Sequence, residues 1–167
     1  MKKIEAWEAF KVLKPERCVF VISIDKHGKP GGMIAGWQMK CSRDPALIAV
    51  SLQKKGYTHK LIKQSKEFVV AVPNKKMEDD VRFFGSTHGD KVDKFKETGI
   101  KTMKAEKIKS PLLKDATINL ECKLYKEVDA GDHIIFIGEV VNAYVNPGKK
   151  VLLNLGWEKD KRIFEEF

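Results

Sequence analysis

Two runs of alternating apolar and polar residues, Ala116 to Val128 and His133 to Val145, are separated only by Asp129-Ala130-Gly131-Asp132. Turn residues this closely spaced between two segments of period two predict a long antiparallel hairpin. Strands joined so tightly have no room for the helical crossover that parallel neighbours require. The rest of the chain has to be organised around this pair.

Other segments extend the same pattern. Arg17 to Asp25 is rich in Val, Ile and Phe and ends in Lys26-His27-Gly28-Lys29-Pro30, a turn that leads into a second strand predicted over Gly32 to Lys40. Ser42-Arg43-Asp44-Pro45 then introduces Ala46 to Leu52, nearly continuous in apolar character and expected to be buried on both faces. Glu67 to Val72 is a β-branched run closed by Pro73. Between the strands, helices are predicted from Thr58 to about Ser65, over Lys76 to Phe84 and over Asp90 to Glu97, with an amphipathic helix from Ile4 to Leu13 lying on the barrel. Six or more strands without β-α-β alternation predict a mainly β, antiparallel barrel with helical excursions. No linker or repeat divides it, so residues 1–167 read as one domain. Neither a Gly-x-Gly-x-x-Gly nor a Gly-x-x-x-x-Gly-Lys-Ser/Thr motif occurs, which removes the common helix-cradled pyrophosphate sites.

Composition narrows the function classes. The apolar runs fall far short of the ~20 residues that span a bilayer, and Met1-Lys2-Lys3 is not followed by a signal-peptide core, so a cytoplasmic protein with no membrane partner is expected. Cys18, Cys41 and Cys122 are odd in number and widely spaced, with no Cys-x-x-Cys pair. Cys41 and Cys122 read as buried small residues rather than redox thiols. The net charge of +9 invites a nucleic-acid reading, but the lysines are interleaved with acids, as in Lys75 to Asp80, and form no basic stripe. A solvated lysine-rich surface is expected, and a basic nucleic-acid-binding barrel is the competing class.

His27, His59, His88 and His133 form no metal-ligand pair within one element, and no Gly-x-Ser-x-Gly elbow is present. What remains is a set of small, hydroxyl and basic residues suited to a phosphate monoester. Tyr57-Thr58-His59 opens a helix, whose free N–H groups favour an anion. Ser86-Thr87-His88-Gly89 stands at another helix start and is followed by Lys91 and Lys94. Ala35-Gly36-Trp37-Gln38-Met39 lies in the second strand, where Gly36 would let a flat ring approach the backbone, and Ser51-Leu52 ends the third. Each of these also fits a plain helix cap or a packed strand.

The order of the segments resembles the flavin reductase family of FMN-binding split barrels, flavoredoxin-type proteins included. The resemblance is carried by Val19 to Ser23, Ala35 to Trp37, Cys41 to Ser51, Tyr57 to Ile62, Glu67 to Val70, Gly89 to Phe95, Leu120 to Cys122 and, most tellingly, Gly131 to Val140. It implies an antiparallel, Greek-key-like split β-barrel over the whole chain, with FMN as cofactor and NADH or NADPH as possible electron donor. By the same resemblance the ring lies against Ala35, Gly36, Trp37, Gln38 and Met39 and near Ser51 and Leu52. The phosphate is held by Thr58, Ser86 and nearby lysines, Lys91 and Lys94 among them, with Tyr57, His59 and Thr87 also counted among the cofactor-binding residues. It also implies a homodimer whose interface brings residues such as His133 to the flavin. An alternative within the resemblance is an FMN electron carrier that serves a protein partner. Lys54 and Lys55 stand where relatives carry an arginine, replacing a bidentate fork by point charges. Trp157 and Phe164 to Phe167 form a C-terminal segment expected to pack on the barrel or on a dimer.

Overall fold

The run Val19–Ile24 is buried at every position, and in the computed structural model, which describes residues 1–167, it lies in the middle of the fold. Because successive side chains of a strand point to opposite faces, Phe20 and Ile22 enter one apolar cluster and Val19 and Val21 another. A strand apolar at every position therefore has to be sandwiched, and this one is.

The strands are β1 (Glu16–Arg17), β2 (Val19–Ile24), β3 (Pro30–Ala35), β4 (Gln38–Ser42), β5 (Leu47–Gln53), β6 (Glu67–Val72), β7 (Thr102–Met103), β8 (Leu112–Leu113), β9 (Ile118–Ala130), β10 (His133–Val145), β11 (Leu152–Glu158) and β12 (Lys161–Glu166). The helices are α1 (Ala6–Lys11), α2 (Tyr57–Ser65), α3 (Glu78–Ser86, entered through a 3-10 turn at Lys75–Met77) and α4 (Lys94–Thr98). Seven strands form one sheet in the order β3-β2-β6-β9-β10-β5-β4, with β1-β11-β12 and β7-β8 as smaller sheets. All pairings are antiparallel. None of the helices is long and apolar enough to cross a membrane.

The central hairpin β9–β10 forms as its sequence predicts, turning at Gly131, which sits at φ +69° where a side chain would be strained. Pairing is irregular next to Gly138, and a Cβ there would stand 2.5 Å from the Phe68 ring and 2.8 Å from Cys122 Cβ. Both neighbours are fully buried. Gly138→Ala is therefore expected to destabilise by about 1–3 kcal/mol through overpacking. Urea denaturation measures this, and an unchanged midpoint would show that the core yields without cost.

One predicted strand is broken in two. Gly32 to Lys40 does not run straight: β3 pairs with β2 at one edge of the sheet, whereas β4 pairs with β5 at the other. Consecutive strands at opposite edges require the sheet to curl until its edges meet, as twisted sheets do when they approach a barrel. Gly36 and Trp37 make the crossing, and the Ser51 N–H donates to the Trp37 carbonyl at 2.9 Å. The helices also differ from expectation. α1 spans only Ala6–Lys11 with none of its residues buried, and α4 begins at Lys94 rather than Asp90, where Asp93 caps it by accepting from the Lys96 N–H. Of the strand Ala46 to Leu52, Ile48 to Val50 and Leu52 are buried, while Ser51 is half-exposed. Cys41 is exposed on edge strand β4, contrary to expectation, while Cys122 is buried.

Two carboxylates hold the loop that follows β7. Glu121, fully buried on β9, accepts from the N–H groups of Glu106 (3.0 Å), Lys107 (2.7 Å) and Ile108 (3.2 Å) and from the Tyr144 hydroxyl (2.8 Å). Glu67 on β6 accepts from the N–H groups of Lys109 and Ser110 and from the Ser110 hydroxyl. A segment with little regular structure of its own thus has its backbone donors satisfied by side chains.

Candidate functional site

Where the chain crosses from β3 to β4, the two sheet edges leave a cleft of about 510 Å³. Ala35, Gly36, Trp37 and Ser51 lie along its wall. The Trp37 indole tilts against the His133 imidazole with centroids 4.8 Å apart and packs edge-on with Trp7 at 6.3 Å. Asp132 contacts His133 Nδ1 at 2.6 Å, which orients the ring. That hydrogen bond also holds the exposed Asp132 carboxyl below the usual carboxylate range.

The glycine at position 36 has a different reason from the one its sequence context offers. A Cβ there would stand 2.7 Å from Glu16 Oε1, so the space above Gly36 is taken by a carboxylate of the chain itself. Glu16 is ion-paired with Lys14 and accepts from Asn154 Nδ2 at 2.8 Å. All three residues line the cleft.

At the far end the two hydroxyl-bearing segments come together. The Tyr57 ring is packed against two glycines: a Cβ on Gly31 or on Gly89 would stand 2.9 Å from it. This close fit sets the start of α2 against the Thr87–Gly89 turn. Thr58 is buried in the first turn of α2, whose N-cap is Gly56, so no side chain caps its N–H groups, and no acidic residue lies in that turn. Lys94 completes this end. It is 5% exposed, its ammonium donates to the Phe84 carbonyl at 2.7 Å, and no carboxylate pairs with it. Burial pulls its pKa down to about 8.

The charge of the cleft is one-sided. Lys11, Lys14, Lys55, Lys94 and Arg162 line it against the single acid Glu16. Lys11 pairs with Glu8 and Lys14 with Glu16, which leaves Lys55, Lys94 and Arg162 without a carboxylate partner. Arg162 instead lies over the Trp157 ring at 5.0 Å. A cleft lined by unneutralised cations and by aromatic surface suits an anionic ligand with a flat ring.

Of the residues singled out in the sequence, the structure gathers Ala35, Gly36, Trp37, Ser51, Tyr57, Thr58, Thr87, Lys94 and His133 around this cleft. Others lie elsewhere. Leu52 alternates with Ser51 and is therefore turned into the core, fully buried. Gln38 and Met39 belong to β4 beyond the crossing, with Met39 exposed. Ser86 and Lys91 are exposed outside the cleft, Ser86 donating to the Phe83 carbonyl. His59 projects from α2 onto Phe136, ring centroids 5.4 Å apart, and neither of its buried ring nitrogens has a partner. Burial, with Lys63 nearby, holds its pKa below the ordinary value.

Both chain ends contribute lining residues that the sequence had not marked. Trp7, Phe10, Lys14 and Glu16 come from the N-terminal segment, and Asn154, Trp157 and Arg162 come from the β11–β12 hairpin. Lys159 and Asp160, both at positive φ, make its turn and set Trp157 opposite Arg162. The alternation in Leu152 to Trp157 was the available signal for a strand; nothing local connects it to a cleft built from segments elsewhere in the chain. Of the C-terminal segment, Phe164 is buried in the core, whereas Trp157 and Phe167 are exposed.

Known proteins carry the same architecture. The flavoredoxin of Desulfovibrio vulgaris (Miyazaki F) superposes over 100% of this chain and 93% of its own with a TM-score of 0.85 at 23% identity. The NADH:FAD oxidoreductase of Streptomyces globisporus C-1027 does so over 100% and 98% with a TM-score of 0.85 at 24% identity. In sequence, a ferric-chelate reductase (NAD(P)H) of Archaeoglobus fulgidus is 31% identical over 135 residues, 80% of this chain and 79% of that protein. The pattern of the flavin reductase like domain matches residues 15–160, from the segment that carries Glu16 to the turn of the last hairpin. A split antiparallel sheet, a cationic cleft at its seam and this match over most of the sequence place the chain in the flavin reductase-like family.

Proposed function

We propose that the cleft holds FMN and that the protein passes electrons from NADH or NADPH through it to an acceptor. The observation that carries this reading is Lys94, a buried ammonium without a carboxylate, lining the same cleft as Thr58 and the uncapped start of α2. A buried cation left without a counter-charge is costly, and a phosphate monoester at this end would offset that cost. The cleft volume lies within the range of small-molecule sites.

In this reading Thr58, Thr87, Lys55 and Lys94 bind the phosphate, while Ala35, Gly36, Trp37 and Ser51 border the ring. His133, oriented by Asp132, stands at the open side against Trp37. Flavin held by these residues would supply the redox chemistry between a nicotinamide nucleotide and an acceptor. The chain positions the ring, excludes water from one face and neutralises charge. The 31% identity to a ferric-chelate reductase (NAD(P)H) favours a nicotinamide nucleotide as donor. We further propose a homodimer in the cytoplasm, with a second copy covering the open side near Trp37 and His133.

An absorption spectrum with added FMN, followed by anaerobic NADH and then NADPH, tests the proposal. Bound flavin should show a band near ~450 nm that bleaches with at least one nucleotide. A flavin band that neither nucleotide bleaches would instead make the protein an electron carrier for a reduced partner. Failure to bind FMN would overturn the reading.

A further inference from the structure

A carboxylate is the wrong group to find in a cleft that attracts a phosphate, and Glu16 is the only one lining it. It is also deliberately held. Lys14 and Asn154 both engage Oε1, and Gly36 is bare of a side chain where the carboxylate rests. The second oxygen, Oε2, accepts from no donor of the chain, although it lies 3.2 Å from where a Gly36 Cβ would stand. The side chain is 23% exposed and opens into the cleft, on the wall made by β1, the β3–β4 crossing and β11. Thr58, Thr87 and Lys94 lie on the helical side. A fixed acceptor with a free lone pair, on the strand-built wall rather than the helical side that carries Thr58, Thr87 and Lys94, calls for a donor on the ring of the ligand.

We propose that Glu16 reads the imide edge of the flavin, with Oε2 accepting the imide N–H. This rests on the FMN reading above. The imide edge presents carbonyl, N–H and carbonyl in order, acceptor, donor and acceptor. Lys14, Glu16 and Asn154 offer the complementary kinds of group, two donors and an acceptor. A charged acceptor makes the stronger class of hydrogen bond, and a ring without the N–H would leave the carboxylate unpaired in a partly desolvated site. Glu16 is then a specificity residue for the ring, and its tie between β1 and β11 is what fixes its position.

The test compares FMN with its N3-methyl derivative, whose imide has no N–H, by fluorescence titration of the wild-type chain and of Glu16→Gln. Glutamine keeps an oxygen for Lys14 and Asn154 but places an NH2 where Oε2 was. Wild type should bind FMN about tenfold or more tightly than the N3-methyl compound. Glu16→Gln should lose that margin through weaker FMN binding, with unchanged far-UV circular dichroism. Glu16→Ala is the second variant, and it should lose the margin as well. Equal wild-type affinities for the two flavins would overturn the proposal and leave Glu16 a strand tie. A margin that survives in both variants would overturn it too, assigning the imide to another group. Only failure to bind either flavin would count against the FMN reading itself, and this inference would fall with it.

Discussion

Lys94→Met should weaken FMN binding by about 10- to 100-fold, the loss expected for a charge-assisted hydrogen bond to phosphate, while making the ligand-free protein more stable. The two effects share one cause. Burial disfavours the ammonium and brings its pKa to about 8, against an ordinary lysine value of 10.5. Between those values the unfolded chain binds the proton more readily than the folded one, so stability rises with pH across that window. Methionine removes the penalty altogether and should flatten that limb. Affinity for FMN runs the other way: the cation is present below about pH 8 and lost above it, so the wild-type dissociation constant should climb toward alkaline pH and the variant's should not. Thermal denaturation of the free protein and FMN titration at about pH 7 and about pH 9.5 separate the two. An FMN affinity indifferent both to pH and to the substitution would move the phosphate to other residues.

The second large effect lies away from the cleft. Glu121→Ala strips the acceptor from three backbone N–H groups and the Tyr144 hydroxyl at a fully buried position. Unpaired buried donors and lost charged hydrogen bonds together should cost about 3–5 kcal/mol, a large share of the ~5–15 kcal/mol typical of folded domains. Burial pushes the Glu121 carboxyl upward, but the N–H groups of Glu106, Lys107 and Ile108 with Tyr144 outweigh it and hold the group below its ordinary value of 4.5. Its contribution is therefore complete above that value and is lost as pH falls through the folded-state pKa. The wild type should lose stability in acid on this account, and the variant should show less of that loss. Urea midpoints at about pH 7 and about pH 3.5 check both the size and the sign. A variant as stable as the wild type at neutral pH would mean that the loop finds other acceptors.

The same residues show how far local sequence reaches. Period-two alternation and the Asp-Ala-Gly-Asp turn give β9–β10, because a hairpin needs only its own residues and a close turn. Tyr57-Thr58 were legible as a helix start and open α2, whereas Ser86 and Thr87, read as opening a helix, instead end α3 with Thr87 as its C-cap; Thr87 and Lys94 still meet Thr58 around one cleft. Their meeting was not legible, since it depends on the Tyr57 ring fitting against Gly31 and Gly89. His59 and Leu52 read like their neighbours, yet helical and strand periodicity turn them onto Phe136 and into the core. The break at Gly36 and Trp37 was missed because both halves are equally β-forming, and only the partners they choose, β2 and β5, distinguish them.

By itself the sequence determined the antiparallel class and the main strands β2, β5, β6, β9 and β10, since these follow from periodicity and turn chemistry within a few residues. Its ordered segments also carried the resemblance to the flavin reductase-like family. Tertiary structure alone decided that the sheet curls until β3 and β4 occupy opposite edges, and that both chain ends return to the seam with Glu16, Asn154, Trp157 and Arg162. Such placements are made by hydrogen-bond ladders and side-chain packing between segments far apart in sequence, whose partners no local pattern names.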